Sequence, residues 1–117
     1  MKAITAIIRP DKLADVIGAL VASGAHGVTV TEARGFGRQY GQLTTARAAA
    51  GEGAVRQPAL LPKIRLDVVV SAGDAEAVAG AIAKSAGTGT IGDGKIWIMP
   101  VDSVLRVRTG ERNHEAV

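Results

Sequence analysis

The apolar positions of the chain change their period several times, and each change predicts a new element. Residues 2–8 form a run of apolar and β-branched side chains, which favours a strand. Residues 10–21 then carry apolar side chains three and four positions apart, the spacing of an amphipathic helix, and Gly24 provides a left-handed helix end. Valine and threonine alternate again in residues 28–34, which predicts a second strand.

The second half of the chain repeats this order. Residues 63–70 predict a strand, residues 74–86 a helix and residues 95–99 a fourth strand, and residues 104–107 are expected to add a short fifth strand. Four strands and two helices in this order suit an α+β fold, the ferredoxin-like βαββαβ sandwich. In that fold both helices lie on one face of an antiparallel sheet.

The amino-acid composition excludes several classes of protein. The 117 residues include no cysteine, which excludes disulfide scaffolds, thiol nucleophiles and thiolate metal sites. No apolar run approaches the roughly 20 residues needed to span a bilayer, and the N-terminus reads as a strand rather than a signal peptide, so a soluble cytoplasmic protein is expected. Because the strands carry apolar residues on both faces, as Val68 and Val69 show, we expect a homo-oligomer to cover the open face.

The connection between the two halves is long and positively charged. Residues 34–63 contain five arginine or lysine residues against Glu52, a larger surplus than the formal net charge of +3 for the whole chain. This charge indicates either a solvated loop or attraction to a small anion or an acidic partner surface. Nucleic acid is not indicated, because stacking aromatic residues are nearly absent and the cations form no tight cluster.

Two glycine-bearing segments are candidates for anion binding. Residues 35–39, GFGRQ, allow a close backbone approach beside a cation, although for this motif alone a glycine-rich turn at the strand end is the preferred explanation. Residues 88–95, TGTIGDGK, place three glycines before Lys95 and suit a backbone nest for an anion, with a tight helix-to-strand turn as the alternative.

Two arginines near the C-terminus complete the candidate chemistry. On an extended chain the side chains of Arg106 and Arg108 would point the same way, which suits a polyphosphate site. The alternative is an exposed edge strand whose positive charge discourages aggregation. No order of residues typical of a catalytic triad, paired carboxylates or metal ligands occurs, so an enzyme is not predicted. An enzyme acting on phosphate-bearing substrates remains a weaker hypothesis, because no general base is placed.

Taken together in order, five blocks resemble the PII nitrogen-regulatory signal-transduction family: KAITAIIRPDKL, VTVTEARGFGRQ, LPKIRLDVVV, TGTIGDGKIWIMPV and VLRVRTGE. The resemblance covers nearly the whole chain. It implies one domain over residues 1–117 that forms a homotrimer and binds ATP or ADP between neighbouring subunits. It also implies signalling through a T-loop at about residues 37–62, and a C-terminal tail at about residues 109–117.

The resemblance also implies which residues bind ligands. One side of the nucleotide site is expected to contain Ile7, Thr29, Gly35, Gly37, Arg38 and Gln39. The site is completed by Lys63, Val69, Gly92, Asp93, Gly94, Lys95, Arg106 and Arg108. Magnesium held by the ATP phosphates and Gln39 would recruit 2-oxoglutarate, and Gln39 and Lys63 would bind this effector.

Three departures from the family pattern concern regulation. The T-loop lacks the tyrosine that many members modify, it is a few residues longer than usual, and Thr90 stands where the family generally has a lysine. We therefore expect no nucleotidylation, with Tyr40 at the loop base a poor substitute, and we expect Arg47 and Arg56 to contact the partner unless they serve only solubility. The expected partner is an ammonium or other membrane transporter, which would recruit the protein to the membrane, or an enzyme of nitrogen metabolism. The alternative is a divergent regulator of another membrane transporter that senses a different small anion.

Overall fold

The computed structural model describes residues 1–38 and 59–117. The elements in these ranges are β1 (Lys2–Ile8), α1 (Leu13–Ala22), β2 (Thr29–Gly35), β3 (Leu61–Val70), α2 (Ala75–Ala86) and β4 (Gly94–Pro100). Their bounds lie within two residues of those predicted from periodicity, except that α1 begins three residues later than predicted. Short 3-10 turns at Pro10–Lys12 and Ala72–Asp74 lead into the two helices.

The four strands form one antiparallel sheet in the order β2-β3-β1-β4. The central strand β1 pairs with β3 on one side and with β4 on the other, so that Ile4 lies opposite both Val68 and Ile98. Strand β2 pairs only with β3 and forms one edge. This order, with both helices covering one face, is the predicted ferredoxin-like arrangement.

The core lies between the helices and one face of the sheet. Alternate residues of β1 and β3 point into it, as expected for strands with a period of two. Its most buried large side chains, each no more than 2% exposed, are Ile4, Ile8, Val16, Leu20, Leu66 and Ile82. Every buried hydrophobic residue in the described ranges is valine, isoleucine, leucine or alanine.

The opposite face of the sheet is open and mixed. It presents three large apolar side chains, Val69, Trp97 and Met99, which are 40%, 37% and 56% exposed. Between them the Thr5 hydroxyl donates to the Asp67 carboxylate at 2.8 Å, and Arg65 forms an ion pair with the same carboxylate. One subunit therefore leaves apolar sheet surface uncovered, which is the observation behind the oligomer prediction.

The predicted fifth strand is wrong. Within the described ranges, the segment after β4 forms a separate hairpin, residues 104–113, in which Leu105 and Arg112 make a single bridge. The Arg106 amide donates to the Glu111 carbonyl at 2.9 Å, and the Gly110 amide donates back to the Arg106 carbonyl at 2.9 Å. Arg108 thus lies in the turn, so the strand alternation that would align it with Arg106 does not apply. We call residues 104–113 the C-terminal hairpin.

Among the residues described, no helix is both long and apolar enough to cross a bilayer.

Candidate functional site

The segment between α2 and β4, residues 87–94, is a tight turn that we call the glycine-rich turn. Asp93 organises it from within. One carboxylate oxygen accepts from the amides of Thr88 and Gly89 at 2.7 and 2.8 Å, and the other accepts from the Thr88 hydroxyl at 2.5 Å. The Thr88 hydroxyl, followed by the backbone amides, lowers the pKa of Asp93, so the carboxylate is ionised at neutral pH.

The end of this turn lies directly against β1. Gly94 has a positive φ of 107°, and a Cβ atom there would lie 1.7 Å from the carbonyl oxygen of Ile7. Only glycine fits this position, because a side chain is excluded by both the backbone conformation and the contact. Ile7 pairs with Lys95 in the same register, so the turn, β1 and the lysine are brought together. Ile7, Asp93, Gly94 and Lys95 also share the lining of one cavity of about 270 Å³.

Lys63 connects the glycine-rich turn to the end of the long connection. Its ammonium group donates to the carbonyl oxygen of Gly92 at 2.7 Å. Lys63 lies near the start of β3, opposite Ala33 of β2, and lines a cleft of about 520 Å³ together with Arg34. The ammonium therefore joins the start of β3 to the glycine-rich turn, 29 positions away in the sequence.

Several of the predicted nucleotide-binding residues meet at this end of the sheet. Gly35 ends β2 opposite Leu61, and Gly37 and Arg38 follow directly toward the long connection. We call the predicted residues at this end the loop-end group. Its described members are Ile7, Gly35, Gly37, Arg38, Lys63, Gly92, Asp93, Gly94 and Lys95. Gln39, Arg47 and Arg56 lie outside the described residues.

The remaining predicted residues lie at the opposite end of the sheet. Thr29 begins β2, and Val69 is six residues along β3 from Lys63, a separation of about 20 Å for a strand. The segment carrying Arg106 and Arg108 begins at the same end, since the Val101 amide donates to the Met1 carbonyl. We call these four residues the hairpin-end group. Thr29 and Gly35 begin and end the same strand, so the whole of β2 separates them.

Within the C-terminal hairpin the two arginines have different surroundings. The Arg106 guanidinium contacts the Glu111 carboxylate at 3.2 Å, and both side chains remain more than one third exposed. Val107, at the start of the turn between the arginines, is 98% exposed. Arg106 is thus held by Glu111 of the same hairpin, and the turn at residues 107–109 is exposed to solvent.

Two residues near the turn were missed from the sequence. Thr88 was read only as part of a glycine motif, although a threonine before a glycine turn and an aspartate after it are typical of side chains that bond local backbone. Arg9 ends up near the turn because Ile8 pairs with Gly94. Its hydrogen bond to Asp11 is the main cause of its raised pKa, with a smaller contribution from the charge of Asp93.

Among the described residues no group of three or more histidine, aspartate or glutamate side chains is arranged to hold a metal ion. Gln39, the predicted magnesium ligand, lies outside the described ranges. An amide oxygen is a suitable ligand for this hard cation.

Comparisons with known proteins agree with this fold. The family model for nitrogen regulatory protein P-II matches residues 1–111. The nitrogen regulatory protein P-II 2 of Methanothermobacter thermautotrophicus is 51% identical over 117 residues, which is all of this chain and 97% of the relative. The P-II protein of Synechocystis sp. is 50% identical over the full length of both chains. The crystal structure of Arabidopsis thaliana PII bound to citrate superimposes with a TM-score of 0.78 at 36% identity, covering 99% of this chain and 91% of that one.

Proposed function

The chain belongs to the nitrogen regulatory protein P-II family, and from that premise we propose that it is a non-enzymatic regulator that binds ATP or ADP. The relatives are named as regulatory proteins. The observation that carries the proposal is the glycine-rich turn packed against Ile7, with Lys95 and Lys63 beside it. Backbone amides and two ammonium groups are the donors that a polyphosphate requires.

The nucleotide site is formed between subunits of a homotrimer. Support comes from the separation of the loop-end group from the hairpin-end group, since Lys63 and Val69 lie about 20 Å apart along β3. Packing of neighbouring subunits would also cover the apolar open face of the sheet at Val69, Trp97 and Met99. In this arrangement Thr29, Val69, Arg106 and Arg108 of one subunit complete the site formed by the loop-end group of its neighbour.

The effector is a small dicarboxylate, 2-oxoglutarate. Lys63 supplies an ammonium group that a carboxylate can share with the Gly92 carbonyl, because an ammonium has three donors. Magnesium bound to the ATP phosphates and to Gln39 would supply the second point of attachment. The Arabidopsis thaliana relative was crystallised with citrate, another polycarboxylate, which is compatible with this class of ligand.

Signalling passes through residues 37–62, the T-loop, to a partner in the cytoplasm or to a membrane transporter that recruits the protein. Ammonium transporters and nitrogen-metabolism enzymes are the partner classes implied by the family. Arg47 and Arg56 contact the partner, and Tyr40 is not nucleotidylated. Intact-mass measurement of protein from nitrogen-starved and nitrogen-replete cells tests the absence of nucleotidylation, since a nucleotidyl adduct mapped to Tyr40 contradicts it. Partner capture with the Arg47→Ala, Arg56→Ala double variant tests whether these arginines contact the partner. Full retention of binding in that variant contradicts the contact.

Isothermal titration with ATP and ADP tests the central proposal. Lys95→Ala is expected to weaken binding by about 1.5–3 kcal/mol if Lys95 donates to a phosphate. Lys84→Ala, on the exposed surface of α2, is the matched control and should leave affinity unchanged. Absence of binding of either nucleotide to the unmodified protein at millimolar concentration overturns the proposal.

A second candidate is a divergent regulator of another membrane transporter that senses a different small anion. It is favoured by Thr90, whose hydroxyl lies 2.6 Å from that of Thr88 and supplies no positive charge to the turn. Titrating ATP with magnesium in the presence and absence of 2-oxoglutarate separates the two candidates. A clear gain in ATP affinity supports the first, and indifference to 2-oxoglutarate supports the second.

A further inference from the structure

The Asp93 carboxylate is surrounded by donors from its own turn. Three hydrogen bonds of 2.5–2.8 Å reach it from Thr88 and Gly89, and they occupy both of its oxygens. A carboxylate beside a phosphate would repel it unless its charge were already engaged. These bonds engage that charge inside the turn.

The bonding of Thr88 and Thr90 extends this arrangement. An ionised carboxylate only accepts, so the Thr88 hydroxyl donates its single proton to Asp93. The Thr90 hydroxyl must then donate to the Thr88 oxygen, 2.6 Å away, and the Thr90 amide lies 3.3 Å from the same oxygen. Thr88, Thr90 and Asp93 thus form one directional network, which we call the Asp93 clasp.

The clasp also fixes a group used elsewhere in the site. Gly92 lies between Ile91 and Asp93, and its carbonyl accepts from the Lys63 ammonium at 2.7 Å. Holding Asp93 in place therefore fixes the acceptor that anchors Lys63. Asp93 also directly precedes Gly94, whose position against Ile7 permits no side chain.

We propose that Asp93 is a positioning residue, which acts on nucleotide through Thr88 and the turn backbone rather than by touching the ligand. The proposal rests on the nucleotide-binding function proposed above and deepens it. By accepting from the amides of Thr88 and Gly89, Asp93 fixes the backbone of the glycine-rich turn before the ligand arrives, which lowers the ordering cost of binding phosphate. Thr90 is part of the same network, so its hydroxyl serves the shape of the turn.

A double-mutant cycle distinguishes positioning from direct contact. Asp93→Asn is expected to weaken ADP binding about tenfold. Thr88→Val removes only the hydroxyl bond to Asp93 and leaves the two amide bonds, so it is expected to weaken binding less, and the double variant is expected to be little worse than Asp93→Asn alone. Thr88→Ser retains the hydroxyl, so this variant should bind ADP nearly as tightly as the unmodified protein. Additive losses in the cycle, or an unchanged affinity in Thr88→Val, overturn the proposal by showing that Asp93 acts independently of Thr88.

Amide hydrogen exchange on the nucleotide-free protein separates this proposal from the proposed function. The amides of Thr88 and Gly89 should be protected in the unmodified chain and exchange at least several-fold faster in Asp93→Asn, with the β1 amides unchanged. Equal exchange in the two proteins overturns the positioning role, whether or not nucleotide binds. Normal clasp protection in a protein that binds neither ATP nor ADP would instead remove the proposed function, and with it the nucleotide role of the clasp.

Discussion

The two ends of the sheet carry similar candidate chemistry but are held together in different ways. At the glycine-rich end the backbone itself is constrained, by the contact of Gly94 with Ile7 and by the hydrogen bonds around Asp93. At the opposite end, the C-terminal hairpin is closed by a few backbone hydrogen bonds and an exposed ion pair between Arg106 and Glu111. The first end is constrained through its backbone, whereas the second depends more on exposed side chains.

This difference separates the effects of substitutions on folding from those on binding. A change at the glycine-rich end alters a close-packed backbone and is expected to reduce the free energy of unfolding. A change in the hairpin alters exposed side chains, which contribute little to stability but can contribute much to ligand binding. Measuring both quantities for each variant tests the comparison directly.

The largest expected effect is that of Gly94→Ala. The new methyl group would lie 1.7 Å from the Ile7 carbonyl oxygen at a φ of 107°, so β1 and β4 must move apart. Overpacking and backbone strain together predict a loss of about 2–6 kcal/mol in the free energy of unfolding. Chemical denaturation measures the loss.

The matched control for this variant is Gly24→Ala. Gly24 follows the C-terminal end of α1. Gly24 has a similar positive φ of 82° but no atom within 4 Å of the new Cβ, so it tests backbone strain without the contact. A loss of about 1–2 kcal/mol is expected there. Equal losses in the two variants would show that the contact with Ile7 contributes nothing.

The next effect concerns binding without folding. Arg106→Ala is expected to weaken ATP binding by about 1.5–3 kcal/mol, because a charged hydrogen bond to phosphate is removed. The thermal midpoint of the nucleotide-free protein should hardly change, since the Arg106 side chain is more than one third exposed. Arg112→Ala, on the returning arm of the same hairpin, is the control for titration calorimetry. Equal losses in both variants would indicate a general charge effect.

Sequence reasoning predicted the sheet and helices because β1, β3 and both helices carry periodic apolar residues. It failed at residues 104–107, where valine and leucine alternate with arginine as in a strand. There the Gly110 turn and the Arg106 to Glu111 pairing decide the local structure. The clasp was missed because it depends on side-chain direction rather than on residue spacing.

Acid is expected to weaken the sheet between the two ends. The pKa of Asp67 is lowered chiefly by its hydrogen bond from Arg65 and also by that from Thr5. A carboxylate with a depressed pKa stabilises the fold above its unfolded pKa, near 3.8, and this stabilisation is lost as pH falls through the lower folded pKa. The thermal midpoint should therefore fall below about pH 4. In Asp67→Asn that fall should be smaller, and an identical pH profile would show that Asp67 has no part in it.

The smallest expected effect is that of Glu111→Gln, and it is the one that tests whether hairpin side chains exchange partners. In the nucleotide-free chain Arg106 contacts Glu111 at 3.2 Å, so a phosphate must replace or share that carboxylate. An exposed ion pair is worth up to about 1 kcal/mol, so its removal should raise ATP affinity by no more than about fivefold and leave unfolding nearly unchanged. Glutamine keeps the length of the side chain and a carbonyl acceptor, which limits the change to charge. The control is Glu115→Gln, in the terminal 3-10 turn, which removes the same charge without an ion pair to Arg106. Weaker ATP binding in Glu111→Gln would contradict the exchange and assign Glu111 to holding Arg106 in its binding position.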